Sequence, residues 1–114
     1  MTIRRIAPGP RMSQAVVHGG IAYLAGQVGA PGAGVAEQTR EVLAQIDRLL
    51  AEAGSDKSRI LTATIWLADI GTFAEMNSVW DAWVSPGNTP ARATVEAKLA
   101  TPDYKVEIMV VAAK

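Results

Sequence analysis

Cysteine is absent from this chain of 114 residues. Disulfides, thiolate nucleophiles and cysteine metal sites are therefore excluded. There is one histidine, His18. A histidine-rich metal site or a serine–histidine–aspartate triad would have to use it, and nothing around it supports either. An excess of charge is also lacking, because eleven Lys and Arg balance eleven Asp and Glu. That argues against an electrostatic footprint for nucleic acid or an anionic membrane. No apolar run reaches the roughly 18–20 residues that span a bilayer. The start, MTIRRIAPGP, has no long apolar core behind its arginines and does not read as a secretory signal. These absences lead us to expect a cytoplasmic protein with no nucleic-acid or membrane partner. Charged residues make up only 19% of the chain, and about half of it is hydrophobic. At zero net charge, that balance leads us to expect part of the surface to be covered by another subunit. The length fits one domain, residues 1–114.

The patterning is that of an α+β domain. Ser13–His18 and Ile21–Val28 read as paired antiparallel strands around Gly19-Gly20, a pair suited to a two-residue turn with positive φ at both central positions. Gly29-Ala30-Pro31-Gly32-Ala33-Gly34 is a small-residue loop that matches no phosphate-cradling motif. Val35, Val42, Ile46, Leu49, Leu50 and Ala53 recur at helical spacing up to Gly54. Leu61, Ala63, Ile65 and Leu67 alternate with Thr62, Thr64 and Trp66 as a strand does. Thr72 and Glu75 have capping-box spacing, and Phe73, Met76, Trp80 and Trp83 mark a core face of a second helix ended by Pro86-Gly87. Ala91–Leu99 and Val106–Ala112 alternate as two further strands, read as a C-terminal hairpin. The expected order is β-hairpin, helix, strand, helix, β-hairpin, with both helices on one face of a single sheet. The other face, expected to carry Thr94, Met109 and Val111, calls for cover by another subunit.

Among residues able to do chemistry, Arg92 stands out. It follows Thr89-Pro90-Ala91 at a strand start, with a rigid root and a planar fork that matches a carboxylate. Alternation turns it to the side of Thr94 and Glu96, away from Ala91, Ala93 and Val95, and hence away from the expected core. The alternative is a surface arginine paired with Glu96 or Glu107. Glu107 lies in a mostly apolar strand, where a carboxylate orients a water or acts as a base, or else simply pairs with Arg92 or Lys105. Gly26 is an interior strand glycine, a mark of close approach by a ligand or backbone, or of a bulge. His18, at the hairpin tip, reads as solvent-exposed.

Taken together, SQAVVHGGIAYLAGQVG, GSDKSRILTATIWLADIGTFAEMNSVWDAWV and TPARATVEAKLATPDYKVEIMVVAAK resemble the reactive-intermediate deaminase family (Rid, or YjgF/UK114), and its YoaB-like branch in particular. The likeness runs over nearly the whole chain in the same order. It implies a chorismate-mutase-like fold assembled as a homotrimer with clefts between subunits. It also implies hydrolysis of 2-imino and 2-enamino acids to a 2-oxo acid and ammonia, with no metal or organic cofactor. Arg92 matches the family arginine that holds the substrate carboxylate, and Glu107 the glutamate that holds the attacking water. Thr94 and Gly26 match positions whose backbone lines the cleft. Met12 stands in the N-terminal loop where deaminating relatives usually carry a tyrosine, and it lacks the phenol's hydrogen bond. The family's common cysteine near Thr94 is missing. Two other readings use the same resemblance: a non-catalytic trimeric binder of small carboxylates, and a plain interaction module insensitive to Arg92. Ribonuclease activity is disfavoured by the zero net charge and the lack of a histidine pair.

Overall fold

The computed structural model describes residues 2–114. Its strands are β1 (Arg4–Ile6), β2 (Ala15–His18), β3 (Ile21–Leu24), β4 (Gln27–Val28), β5 (Ile60–Leu67), β6 (Ala91–Glu96) and β7 (Val106–Ala113). Two helices, α1 (Val35–Ala53) and α2 (Phe73–Trp83), pack on one face of the seven-stranded sheet. No helix among the described residues is long and apolar enough to cross a membrane.

Local sequence explains most elements. The β2–β3 turn carries Gly19 at φ 61° and Gly20 at φ 79°, the positive pair that such a turn requires. Helix α1 buries Val35, Thr39, Val42, Leu43, Ile46, Leu50 and Ala53 along one stripe, and Gly54, at φ 84°, ends it in the left-handed conformation. The core lies between this stripe, the inner side of α2 (Met76 and Trp80) and the sheet residues Ala63, Ile65, Leu67, Val106, Ile108 and Val110.

The strand order is β1-β2-β3-β7-β5-β6, with β4 also paired to β7. The last two strands are therefore not a hairpin. β6 runs parallel to β5 at the sheet edge, and β7 runs antiparallel between β5 and the β3–β4 line. The reason is burial. Val106, Ile108, Val110 and Ala112 are all buried on one side of β7, which suits a central strand, whereas α2 carries the chain back to lay β6 beside β5 in parallel.

Three further expectations need correction. Ile21–Val28 is not one strand. Tyr23 faces Val111 while Gln27 faces Ile108, four steps against three, so one residue is extra and the strand is bulged around Ala25-Gly26. A second bulge, at Leu61, throws that side chain out of the core register and leaves it exposed. The capping box does not form. Thr72 Oγ1 donates to Asp69 O at 2.7 Å, and Glu75 Oε2 instead accepts from the N–H of Ala36 at 3.2 Å, in the first turn of α1.

The side of the sheet away from the helices carries Tyr23, Val95 and Met109, all exposed, together with Val111. Thr94 does not belong to it. Register puts Arg92, Thr94 and Glu96 beside Ala63, Ile65 and Leu67, whose side chains face the helices. The small apolar residues Ala91, Ala93 and Val95 face outwards and are exposed.

Candidate active site

Arg92 projects from the edge strand β6 to the underside of α2. Its Nη1 donates to Oδ1 of Asn77 at 2.8 Å. Its Cζ lies 5.2 Å from the centre of the Trp80 ring and 5.7 Å from that of Phe73. Phe73, Asn77 and Trp80 are spaced i, i+4, i+7 on α2 and so share one face. The polar partner of the guanidinium is thus an amide and not a carboxylate. Glu96 is used elsewhere, its Oε1 accepting from the N–H of Ile70 at 3.0 Å. One of the five N–H groups of the guanidinium is engaged by Asn77, which leaves the Nε–Nη2 edge for a planar anion. Two residues along, the Oγ1 of Thr94 is buried and has no hydrogen-bond partner.

Glu107 and Gly26 come together on the other side of the sheet. Glu107 is opposite Val28 on β4 and Trp66 on β5. Its carboxylate fills the space over Gly26: a Cβ placed there would lie 2.1 Å from Oε2 and 3.0 Å from Cδ of Glu107. Gly26 does not have a positive φ, so room for the carboxylate, and not backbone conformation, is what its missing side chain provides. Of the two readings of this glycine, the bulge holds, and what approaches it closely is the Glu107 side chain rather than a ligand or another backbone. The segment leading into β7 is anchored by fully buried Gln38. Its Nε2 donates to Ala33 O at 2.8 Å and Asp103 O at 2.9 Å, and its Oε1 accepts from the N–H of Lys105 at 2.8 Å. Every hydrogen-bonding atom of that amide is engaged, as burial demands, and it fixes the backbone two residues before Glu107.

The chain therefore brings Gly26 to Glu107, and Thr94 to the side of Arg92, but keeps the two pairs on opposite faces of one sheet. An Arg92–Glu107 ion pair within the chain is ruled out by this placement. Met12 stands apart in the loop before β2, 48% exposed, where its carbonyl accepts from the N–H of Gly9 at 2.7 Å. A groove of about 450 Å³ between α1 and α2, lined by Arg40, Asp47, Lys57 and Trp83 among others, touches none of these five residues. Among the described residues no group of three His, Asp or Glu is placed to hold a metal ion.

Sequence reasoning missed Asn77, and it read Phe73 and Trp80 as core alone. The i, i+4, i+7 spacing on α2 was visible. What it lacked was the parallel pairing that brings β6 beneath that face.

Comparison with known proteins gives a consistent picture. The family described as Endoribonuclease L-PSP matches residues 2–114. A RutC family protein, YoaB, of Escherichia coli strain K12 is 51% identical over 113 residues, covering 99% of each chain. The crystal structure of a YjgF family member from Neisseria meningitidis superposes with a TM-score of 0.97 at 56% identity, over 100% of this chain and 96% of that one. A rat protein named 2-iminobutanoate/2-iminopropanoate deaminase is 32% identical over 108 residues, covering 88% of this chain and 77% of its own length.

Proposed function

This chain belongs to the endoribonuclease L-PSP family, also called Rid or YjgF, in its YoaB-like branch, and on that premise we propose that it is a hydrolytic deaminase of 2-imino and 2-enamino acids. The observation that carries the reading is the state of Arg92: a guanidinium fixed by an amide and two ring faces, with no carboxylate of its own chain as partner. Such a group is pre-formed for the carboxylate common to these substrates. The rat relative's printed name supports the reaction class.

The chemistry asked of the protein is modest. The C2 carbon of a protonated imine is already electrophilic. Arg92 holds the carboxylate, and Glu107 takes a proton from a water as the water's oxygen bonds to C2. Glu107 returns that proton to the nitrogen of the resulting carbinolamine. The C2–N bond then breaks with its electron pair leaving on ammonia, while the hydroxyl proton passes to the Glu107 carboxylate and on to solvent or the departing ammonia, and the 2-oxo acid remains. An enamine first takes a proton at C3 to give the same imine. Thr94 and Gly26 line the cleft, and Met12 contributes from the N-terminal loop. No step calls for a metal or an organic cofactor.

Arg92 and Glu107 sit on opposite faces of the same sheet, so in this reading a complete site takes Arg92 from one subunit and Glu107 from the next. The bare apolar face with Tyr23, Val95 and Met109 supports an assembly that covers it, and we assign a homotrimer with clefts between subunits, in the cytoplasm. The alternative, a non-catalytic binder of small carboxylates, keeps Arg92 but gives no task to the carboxylate held against Gly26.

The test is ammonia release from 2-iminobutyrate generated in place by an amino acid oxidase. Two charge-assisted bonds of about 1.5–3 kcal/mol each are at stake. Arg92→Ala lowers the rate at least about a hundredfold, at 1.4 kcal/mol per factor of ten. Arg92→Lys restores part of it, keeping charge without the planar fork. Wild-type protein that binds 2-oxobutyrate but releases no ammonia makes it a binder, and an Arg92→Ala variant with both functions intact removes the arginine from the site.

A further inference from the structure

We infer that Phe73 and Trp80 are positioning residues for the Arg92 clamp, and that Trp80 emission reports on its occupancy; this rests on the carboxylate-binding reading of Arg92. A long flexible side chain at the edge of a sheet would ordinarily sample many rotamers, and a carboxylate would have to order it on binding. Here the guanidinium lies 5.2 Å from one ring centre and 5.7 Å from another, within the range at which a ring face attracts a cation. A ring face attracts the charge of the guanidinium without supplying a carboxylate oxygen that would occupy its N–H donors. Asn77 uses one N–H. The clamp is thus oriented while its fork stays available.

The rings are themselves fixed to different degrees. Trp80 is only 5% exposed. Its ring lies 5.4 Å from that of Trp83, whose Nε1 donates to Asp47 Oδ2 on α1 at 2.9 Å. The orientation of Arg92 is therefore tied through Trp80 and Trp83 to the packing of α1 on α2. Phe73, at 41% exposed, is the partner that can be trimmed without touching the core.

Three measurements on the assembled protein test this, with 2-oxobutyrate as the probe. Phe73→Leu weakens binding of 2-oxobutyrate, read by calorimetry, about two- to fivefold, and raises the KM for 2-iminobutyrate by a similar factor while kcat changes less than about twofold. Trp80→Leu weakens binding further, and Trp80→Phe, which keeps a ring face, restores most of it. Tryptophan emission of the wild type changes on adding 2-oxobutyrate. In Trp80→Phe, where Trp66 and Trp83 remain, binding persists but most of that change is lost. If Trp80→Leu does not fold, Phe73→Leu and the emission of Trp80→Phe decide the matter alone. Wild-type binding in Phe73→Leu, or an unaltered emission response in Trp80→Phe, overturns the positioning role. If Arg92→Ala at the same time abolishes binding, the clamp reading survives and only this inference falls. If Arg92→Ala also binds normally, the clamp reading itself has failed.

Discussion

Replacing Gly26 with alanine puts a methyl group where Glu107 keeps its carboxylate. The methyl carbon would lie 2.1 Å from Oε2, 3.0 Å from Cδ and 3.2 Å from Cγ of Glu107, so the carboxylate has to retreat by about 1 Å or more to reach van der Waals distance. All three atoms belong to one flexible side chain. Pushing a side chain about 30° off its rotamer costs about 0.5–1.5 kcal/mol. Gly26 has no positive φ to lose, and alanine narrows the unfolded ensemble by about 0.4–1 kcal/mol in favour of folding. The two effects nearly cancel, and the melting temperature stays within about 5 °C of wild type. Activity responds differently. A reacting group misplaced by about 1 Å loses up to a hundredfold, so Gly26→Ala releases ammonia from 2-iminobutyrate about ten- to a hundredfold more slowly. Binding of 2-oxobutyrate changes less than turnover, because the contacts that orient the Arg92 clamp, Asn77, Phe73 and Trp80, are untouched by the substitution. Glu107→Gln gives a comparable loss, and the double variant is scarcely slower than Glu107→Gln alone, since both changes remove one function. Wild-type turnover in a folded Gly26→Ala protein would refute the reasoning. A drop in melting temperature well beyond about 5 °C would show instead that the glycine serves the bulge.

The other expectations concern the loop, the bare face and one exposed turn. Met12→Tyr raises ammonia release from small imino acids about two- to tenfold, the effect of one net hydrogen bond of about 0.5–1.5 kcal/mol; an unchanged rate across a series of such substrates removes this position from the cleft. Met109→Asp places a charge on the outward face of the central strand and dissociates the assembly, which sedimentation equilibrium reads as a fall in mass together with loss of activity. A wild type that is monomeric at micromolar concentration contradicts the trimer. Asp56 has its pKa lowered by the Ser58 hydroxyl and backbone N–H that it accepts from. A lowered folded-state pKa stabilises above the unfolded value and is lost as pH falls through the folded one. Asp56→Asn therefore melts below wild type at neutral pH, and the gap closes in acid; a gap that stays constant with pH contradicts the assignment.

Much of this protein was decided locally. Two consecutive glycines fixed the β2–β3 turn, since the required positive φ at both positions excludes nearly every other pair. The stripe from Val35 to Ala53 and the Gly54 stop determined α1, because a period near 3.6 and a left-handed cap are properties of neighbouring residues. The candidacy of Arg92, Glu107 and Gly26 was also legible, from residue type and strand context. Other features depended on partners distant in the chain. Alternation separates the two faces of β6 but does not say which is inside. Ala91, Ala93 and Val95 look like a core face, yet pairing with β5 turns them outwards and brings Arg92 beneath α2. The position of β7 between β5 and the β3–β4 line comes from burying both its neighbours' apolar sides, a non-local gain that no window of sequence contains. From that placement follow the contact of Glu107 with Gly26 and the separation of Glu107 from Arg92. Sequence set which groups can react; the order of the strands set which of them meet, because side-chain direction in a sheet is inherited from register with a neighbour.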